Sequence, residues 1–240
     1  MHALLLHGGG HGGWCWDAVR VHLADVGVDS SAPDLPGAGA DSTPRAGIVL
    51  DDYIAAAVRL VDRIDDDVTI VAHSIAGLTA PAVAVARPEK VSHVVLLAAL
   101  VTRTGERGID SIPEDRRPSY FELATASGEN AFRPAFDTAW ERFFPSLSES
   151  RAREEYEQLT PQPLGPYLQP SPAGVDALER LEVRRSYVLL NEDRTFVPDQ
   201  AREFAARAGC HPIERAGDHC WMLTEPNACA REIAELARSR

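Results

Sequence analysis

The sequence predicts an α/β fold in which helices cover both faces of a parallel sheet. Short runs rich in Val, Ile and Leu alternate along the chain with longer amphipathic stretches, and most of these runs are continuously apolar. A strand buried on both faces has this pattern, whereas a strand with one face in solvent alternates apolar and polar residues. Alternation of strand and helix predicts a parallel sheet, in which the helical connections between strands are right-handed.

Length and composition indicate one globular domain. The 240 residues are enough for a domain with a small insertion, and the 45% apolar and 25% charged residues are ordinary globular values. The formal net charge of -12 opposes binding to a phosphate backbone, so we expect no nucleic-acid partner. The first residues lack the basic region of a signal peptide, and the longest apolar run, 94–101, is much shorter than the ~20 residues of a membrane helix.

The cysteines predict neither a disulfide framework nor a metal site. The chain has four, at positions 15, 210, 220 and 229, and nothing in the sequence suggests secretion. Cys210 and His211 lie near His219 and Cys220, but the usual C-x-x-C and H-x-x-x-H ligand spacings are missing. We therefore expect free thiols in a reducing cytoplasm, and no metal or other cofactor.

Strand and helix candidates alternate in the order that the fold class requires. The candidate strands are residues 3–6, 29–32, 68–72, 91–97, 186–190 and 211–215. The candidate helices are residues 16–24, 50–64, 75–86, 198–208 and 227–238. In the second helix, apolar residues at 53, 57, 60, 61 and 64 form one stripe, as expected of a helix that covers a sheet. The third is small and apolar throughout.

Residues 102–182 interrupt this alternation and carry most of the aromatic side chains. Residues 135–144 and 148–159 read as helices, the second with Ser148 as N-cap, and prolines between 161 and 172 oppose regular helix. We interpret 102–182 as a helical cap inserted into a core formed by 1–101 and 183–240. Its aromatic residues either line a pocket or only hold the cap onto the sheet.

A glycine-rich segment at residues 8–13 has two interpretations. It matches G-x-G-x-x-G after a strand, the pattern of a dinucleotide-binding turn, with Asp29 or Asp34 as the ribose-binding acid. Such a match is easily produced in any glycine-rich turn. The alternative is a flexible turn whose backbone N–H groups point at a reacting oxygen.

Ser74 stands where the apolar strand 68–72 runs into a helix of small residues. The segment follows the nucleophile-elbow pattern G-x-S-x-G, with Ala72 and Ala76 at the two glycine positions. A serine on so sharp a turn has strained backbone angles and presents its hydroxyl above the sheet edge, so its neighbours must be small. The alternative for this motif alone is a serine that caps the helix.

Two further residues supply the partners that a serine nucleophile needs. The hydroxyl requires a base, the base requires an orienting acid, and in this architecture each follows a strand in the order serine, acid, histidine. Asp193 follows the strand 186–190 and His219 follows 211–215, with Glu192 as second choice for the acid. Because the helix-cap and dinucleotide interpretations have no use for these residues, their joint occurrence disfavours both.

Five segments together resemble the α/β-hydrolase superfamily, and most closely its compact branch of plant methylesterases, plant hydroxynitrile lyases and their bacterial relatives. They are Leu-Leu-His-Gly-Gly-Gly-His-Gly-Gly-Trp-Cys-Trp at 5–16, Pro-Asp-Leu-Pro-Gly at 33–37, the elbow, Glu192-Asp193, and Gly-Asp-His-Cys-Trp-Met-Leu at 217–223. The cap matches only loosely. The resemblance implies an α/β-hydrolase fold with six strands in the spatial order 2-1-3-4-5-6 and a cap over their carboxyl ends.

By this resemblance, the chain is a serine hydrolase that cleaves a small carboxylic ester through an acyl-enzyme, as a monomer or homodimer. The resemblance makes Ser74 the nucleophile, His219 the general base and Asp193 its orienter. The oxyanion hole is formed by the N–H groups of Gly9 and Ile75. We also expect four residues to contact the substrate: Gly8, His11, Trp140 and Met222.

The same comparison favours a hydrolase over a lyase. The lyases carry threonine where this chain has Gly8, and lysine where it has Cys220. That lysine stabilises the cyanide leaving group through its ammonium, which a cysteine cannot do. The alternatives kept open are a lyase or a tailoring enzyme of secondary metabolism on the same triad, a small-ligand binding protein on this fold, and a nucleotide-dependent oxidoreductase.

Overall fold

The computed structural model describes residues 1–239 and contains the predicted parallel sheet. Its strands are β1 (His2–Leu6), β2 (Asp29–Ser31), β3 (Val68–His73), β4 (Val91–Leu97), β5 (Arg184–Leu190) and β6 (Pro212–Arg215). They pair in parallel in the order β2-β1-β3-β4-β5-β6, which confirms the predicted order.

Ten α-helices accompany the sheet within the described residues. They are α1 (Asp17–Asp25), α2 (Leu50–Asp62), α3 (Ala80–Ala86), α4 (Arg117–Ser127), α5 (Phe136–Phe143), α6 (Glu149–Gln158), α7 (Gly165–Leu168), α8 (Pro198–Arg207), α9 (Trp221–Thr224) and α10 (Pro226–Arg238). Short 3₁₀ turns cover Gly13–Trp16, Arg45–Gly47, Ser74–Leu78, Gly108–Ser111 and Val175–Arg180. In residues 1–239 no helix is both long enough and apolar enough to cross a membrane.

Two apolar cores lie on opposite faces of the sheet. Along β1, Leu4 and Leu6 belong to the core under α2, α3 and α8, whereas Ala3 and Leu5 belong to the core under α1 and α10. All four side chains are fully buried. This double burial explains why the strands are continuously apolar in sequence.

The predicted helix at 75–86 is divided in two. A 3₁₀ turn over Ser74–Leu78 precedes α3, which begins at Ala80 and has Pro81 in its first turn. Proline has no N–H to donate to the preceding turn and is tolerated only at a helix start, so its position marks a new beginning.

The segment 102–182 folds as helices α4 to α7 and a small antiparallel pair, Ala131–Phe132 with Gln162–Pro163. The Ser148 hydroxyl accepts a hydrogen bond from the N–H of Arg151 at 3.4 Å, so the predicted N-cap is confirmed. The expectation that the prolines exclude regular helix is wrong for the single turn α7. Pro166 lies in its first turn, where a missing N–H costs nothing.

A buried histidine on β4 makes the stability of the fold sensitive to acid. His93 donates from Nδ1 to the carbonyl of Leu236 at 3.1 Å, and its Nε2 lies 2.9 Å from Ser186 Oγ. Burial, followed by the nearby Arg184 guanidinium, lowers the pKa of His93 to about 4. The unfolded chain takes up this proton near pH 6.5, so protonation stabilises the unfolded state first and the free energy of unfolding falls as the pH drops.

We predict that His93→Gln, which cannot titrate but keeps an amide donor, flattens this dependence. Between pH 7 and pH 5 the wild type should lose about 2 kcal/mol more free energy of unfolding than the variant. Urea denaturation at the two pH values measures the difference. Parallel losses in the two proteins would contradict the assignment.

Candidate active site

Ser74 occupies a strained turn at the carboxyl end of β3. Its φ angle is 54°, in the left-handed region that residues with side chains rarely adopt. Such a conformation costs of order 1–3 kcal/mol and persists only where the surroundings enforce it. The side chain is nearly buried, and the backbone carbonyl accepts a hydrogen bond from Leu100 N at 2.9 Å. The sequence therefore folds into the predicted elbow.

The tightest packing in this elbow lies one residue beyond the motif. Ala72 and Ala76 are both fully buried in one apolar core, which accommodates their methyl groups. At Gly77, an added Cβ would lie 2.2 Å from the carbonyl oxygen of Leu100. Glycine is thus required at position 77, where the helical turn passes against the segment after β4, a requirement that the motif does not reveal.

Three residues from separate loops form a hydrogen-bonded chain at the carboxyl edge of the sheet. His219 Nε2 lies 3.1 Å from Ser74 Oγ, and His219 Nδ1 lies 2.8 Å from Asp193 Oδ2. Asp193 and His219 are almost completely buried. The carboxylate accepts from Nδ1–H, which leaves Nε2 free to accept the serine proton. Glu192, the alternative acid, is exposed.

Asp193 is itself held by two backbone donors. Its Oδ1 accepts from the N–H of Thr195 at 2.6 Å and of Phe196 at 3.0 Å. These bonds leave Oδ2 directed at His219. The acid is therefore positioned from both sides, and the imidazole orientation depends on a carboxylate that cannot rotate.

The glycine turn after β1 presents a free backbone donor next to Ser74. Gly9 N–H donates to no partner within residues 1–239, and Ile75 N–H belongs to the first turn of a helix, where amides lack an intrahelical acceptor. The neighbouring Gly10 N–H donates to Gln162 Oε1 at 3.1 Å, and Gly10 O accepts from Thr160 N at 2.8 Å. Residues of the cap thus hold the turn in place.

Three buried histidines surround this turn. His7 Nδ1 donates to Gly8 O at 2.8 Å, and His11 Nδ1 donates to Gly9 O at 3.0 Å. Burial lowers the pKa of each, that of His11 to about 3, so both are neutral at pH 7. His73, also neutral because burial lowers its pKa, donates from Nε2 to the carbonyl of His219 at 2.9 Å. Their hydrogen bonds support the glycine turn and the loop that carries His219.

A cavity opens at Ser74 and continues outward in two parts. The inner chamber, of about 50 Å³, is lined by Gly9, His11, Ser74 and His219, together with aromatic side chains from the cap and the loop after β5. The outer vestibule, of about 490 Å³, lies between α4 and α5. Both parts share Tyr120, Phe132, Phe143 and Phe196 in their walls. The interpretation in which cap aromatics line a pocket is therefore correct for Tyr120, Phe132 and Phe143.

Of the four residues expected to contact substrate, only His11 lines the cavity. Trp140 donates from Nε1 to Leu147 O at 3.0 Å and packs against Phe136, inside the cap. Met222 is fully buried in the core under α1 and α10, and Gly8 lies against His73. Gly8, Trp140 and Met222 therefore lie outside the lining of this cavity. Phe143, Tyr167 and Phe196 do line the cavity, and only their aromatic character marked them in the sequence.

The turn at 8–13 is closed by the protein itself. Asp34 Oδ1 accepts from Gly13 N–H at 2.7 Å, at the start of the helical turn where a dinucleotide pyrophosphate would bind, and Oδ2 accepts from Ala40 N–H. Asp34, one of the two acids that the dinucleotide interpretation offered for ribose, is thus engaged within the fold. Among residues 1–239, no group of three or more His, Cys, Asp or Glu is placed to hold a metal.

A model of the Alpha/beta hydrolase family matches residues 3–232, almost the whole chain. The chain belongs to this family. The hydrolase is 24% identical over 253 residues to Methylesterase 9 of Arabidopsis thaliana, an alignment that covers 98% of each chain. It is 36% identical to Methylesterase 18 of the same plant over 107 residues, which cover 43% of this chain and 41% of the relative.

The structural comparison gives the same fold. An extracellular α/β-hydrolase from a Paenibacillus species superposes with a TM-score of 0.91 at 23% identity, covering 100% of both chains. The resemblance predicted from five short motifs is thus confirmed, including its methylesterase branch.

We predict that Gly8→Ala damages the elbow. The added Cβ would lie 2.6 Å from His73 Nδ1 and 3.0 Å from Ser74 Cβ, so the histidine or the serine must shift. Overpacking of this kind costs roughly 1–3 kcal/mol, and a displacement of about 1 Å at a reacting group costs up to ~100-fold in rate. The readouts are the melting temperature and the rate at which phenylmethylsulfonyl fluoride labels Ser74.

Gly47→Ala is the matched control, because nothing lies within 4 Å of its Cβ position. This variant should melt and react like the wild type. If Gly8→Ala behaves in the same way, the contact between Gly8 and the elbow does not constrain Ser74.

Proposed function

We propose that this hydrolase cleaves a small carboxylic ester by way of an acyl-enzyme. The observation that carries the proposal is the continuous chain from Ser74 Oγ through His219 to Asp193, at 3.1 Å and 2.8 Å. The names of the plant relatives, which are methylesterases, support ester cleavage and suggest a small alcohol as leaving group.

In the proposed mechanism, Ser74 Oγ attacks the ester carbonyl as His219 Nε2 takes the hydroxyl proton. Asp193 stabilises the imidazolium that results. The developing oxyanion accepts hydrogen bonds from the N–H groups of Gly9 and Ile75, and each such donor lowers the barrier by roughly 3–4 kcal/mol. When the tetrahedral intermediate collapses, His219 returns the proton to the leaving alcohol. Water, deprotonated by His219, then cleaves the acyl-enzyme and regenerates Ser74.

The geometry does not favour the lyase alternative. A threonine at position 8 has no room, because even a methyl group there would lie 2.6 Å from His73 Nδ1. Cys220 is fully buried with its Sγ 3.4 Å from His11 Nε2, and it lines neither part of the cavity. A leaving cyanide would find no ammonium at that position.

We further propose a reducing compartment, the cytoplasm, as the site of action. All four cysteines are free, and Cys15, Cys220 and Cys229 are buried. The Paenibacillus hydrolase is extracellular, so the proposed location of this protein differs from that of its structural relative. Cell fractionation of the producing organism separates the two locations.

Ser74→Ala should lower the turnover of p-nitrophenyl acetate by a factor of up to ~10⁶, because the nucleophile is lost while the fold remains. Mass spectrometry after treatment with phenylmethylsulfonyl fluoride should place one adduct on Ser74 of the wild type. The exposed serine variant Ser42→Ala controls for the loss of a hydroxyl and should retain full turnover.

Retention of most of the activity by Ser74→Ala would overturn the mechanism. Tight ligand binding by the wild type, with no burst of p-nitrophenol and no adduct, would instead identify a small-ligand binding protein on this fold.

A further inference from the structure

Apart from the histidines, Arg133 is the one residue with a formally charged side chain among those that line the inner chamber. It follows the short strand Ala131–Phe132 and is half-buried. No carboxylate of residues 1–239 lies within ion-pair distance of its guanidinium, although the protein has 36 acidic residues against 24 basic ones. The guanidinium of Arg133 therefore lacks a carboxylate partner within an otherwise acidic protein.

Protein contacts fix the guanidinium without using all of its donors. Its central carbon lies 4.0 Å above the centre of the Tyr156 ring, and Nη2 donates to the carbonyl of Tyr156. Nε is buried and has no hydrogen-bond partner within the described residues. A buried donor without an acceptor costs roughly 1–3 kcal/mol, a cost that a bound acceptor would remove.

The vestibule that leads to this chamber also carries more positive than negative side chains. Arg116 and Arg142 lie in the wall of the vestibule, where Glu122 is the only acidic side chain. Neither arginine forms an ion pair with a carboxylate of residues 1–239, and Arg116 donates instead to the carbonyl of Thr195 at 3.0 Å. The route from solvent to Ser74 thus carries net positive charge on a protein with a net charge of -12, an arrangement that attracts anions.

We propose that the hydrolase acts on esters that carry a second, anionic group, a carboxylate, and that Arg133 binds this carboxylate while Ser74 attacks the ester carbonyl. Half-esters of dicarboxylic acids have this chemistry. The inference rests on the proposed esterase function and names the substrate class of the same site. A guanidinium matches a carboxylate because its N–H groups lie in one plane and form a charge-assisted, bidentate pair.

The test measures binding without turnover, in the Ser74→Ala protein. Calorimetry compares monomethyl glutarate, which keeps one carboxylate, with dimethyl glutarate, which has none; the succinate and adipate pairs cover other spacings. The half-ester should bind roughly 10–100-fold more tightly than the diester for at least one chain length, as expected of hydrogen bonds to a charged group. Arg133→Gln should abolish this preference, so that the variant binds the half-ester and the diester with affinities within threefold of each other.

Arg153→Gln is the matched control. Arg153 also stacks on an aromatic ring, 4.1 Å above Phe136, but it pairs with Glu149 and lies outside the cavity. The control should keep the full preference for the half-ester. If it loses the preference as much as Arg133→Gln does, net charge rather than a specific site is responsible and the proposal is wrong.

Equal binding of half-ester and diester at all three chain lengths would also overturn the proposal. If Arg133→Gln fails to fold, Arg133→Lys decides, because it keeps the charge but not the planar fork. A reduced preference for the half-ester supports the role of Arg133, and an unchanged preference contradicts the bidentate pair.

Wild-type turnover of dimethyl glutarate is measured separately. If the half-ester binds more tightly than the diester but no ester is hydrolysed, the carboxylate site is supported and the esterase function is wrong.

Discussion

The site depends on one constraint, the left-handed backbone of Ser74 at the end of a doubly buried strand. The strain is maintained because β3 lies in the middle of the sheet and because the following turn is pressed against the segment after β4. The 2.2 Å separation that a Cβ at Gly77 would have from Leu100 O shows how close this approach is. The burial of apolar side chains on both faces of the sheet supplies the free energy that keeps the serine in this conformation.

The sheet also places Asp193 and His219, the other two members of the proposed triad. Asp193 and His219 follow neighbouring parallel strands, β5 and β6, whose carboxyl ends meet at the same edge. The loops after these strands are joined by hydrogen bonds from Asn191 N to Arg215 O at 2.9 Å and from Glu192 N to Gly217 O at 3.0 Å. The register of β5 against β6 therefore sets the separation of Asp193 from His219. The cap supports the same two loops, because Cys220 N–H donates to Phe143 O at 2.8 Å and Thr195 Oγ1 donates to Arg142 O at 3.1 Å.

The core and the triad could be predicted from the sequence because both follow local patterns. Continuous apolar runs mark most of the strands. Ser74 lies directly after β3, and Asp193 and His219 lie in the loops that follow β5 and β6. The cap could not be read in the same way. Helix α4 exposes Phe121 and Leu123 and so lacks a clear apolar stripe. Trp140 and Phe143 lie on the same helix, yet only Phe143 reaches the cavity, a difference decided by tertiary packing.

Gln162 joins the cap to the glycine turn, since it accepts from Gly10 N–H through Oε1 and donates through Nε2 to Tyr53 and Pro163. The glycine turn and the cap segment around Gln162 are therefore joined by hydrogen bonds and should move together. A cap transplanted from a relative would have to bring the same amide or lose the hydrogen bond from Gly10 N–H. We expect side-chain exchange on α4 and α5, which line the vestibule, to change the substrate range, whereas exchange of Gln162 would disturb the glycine turn.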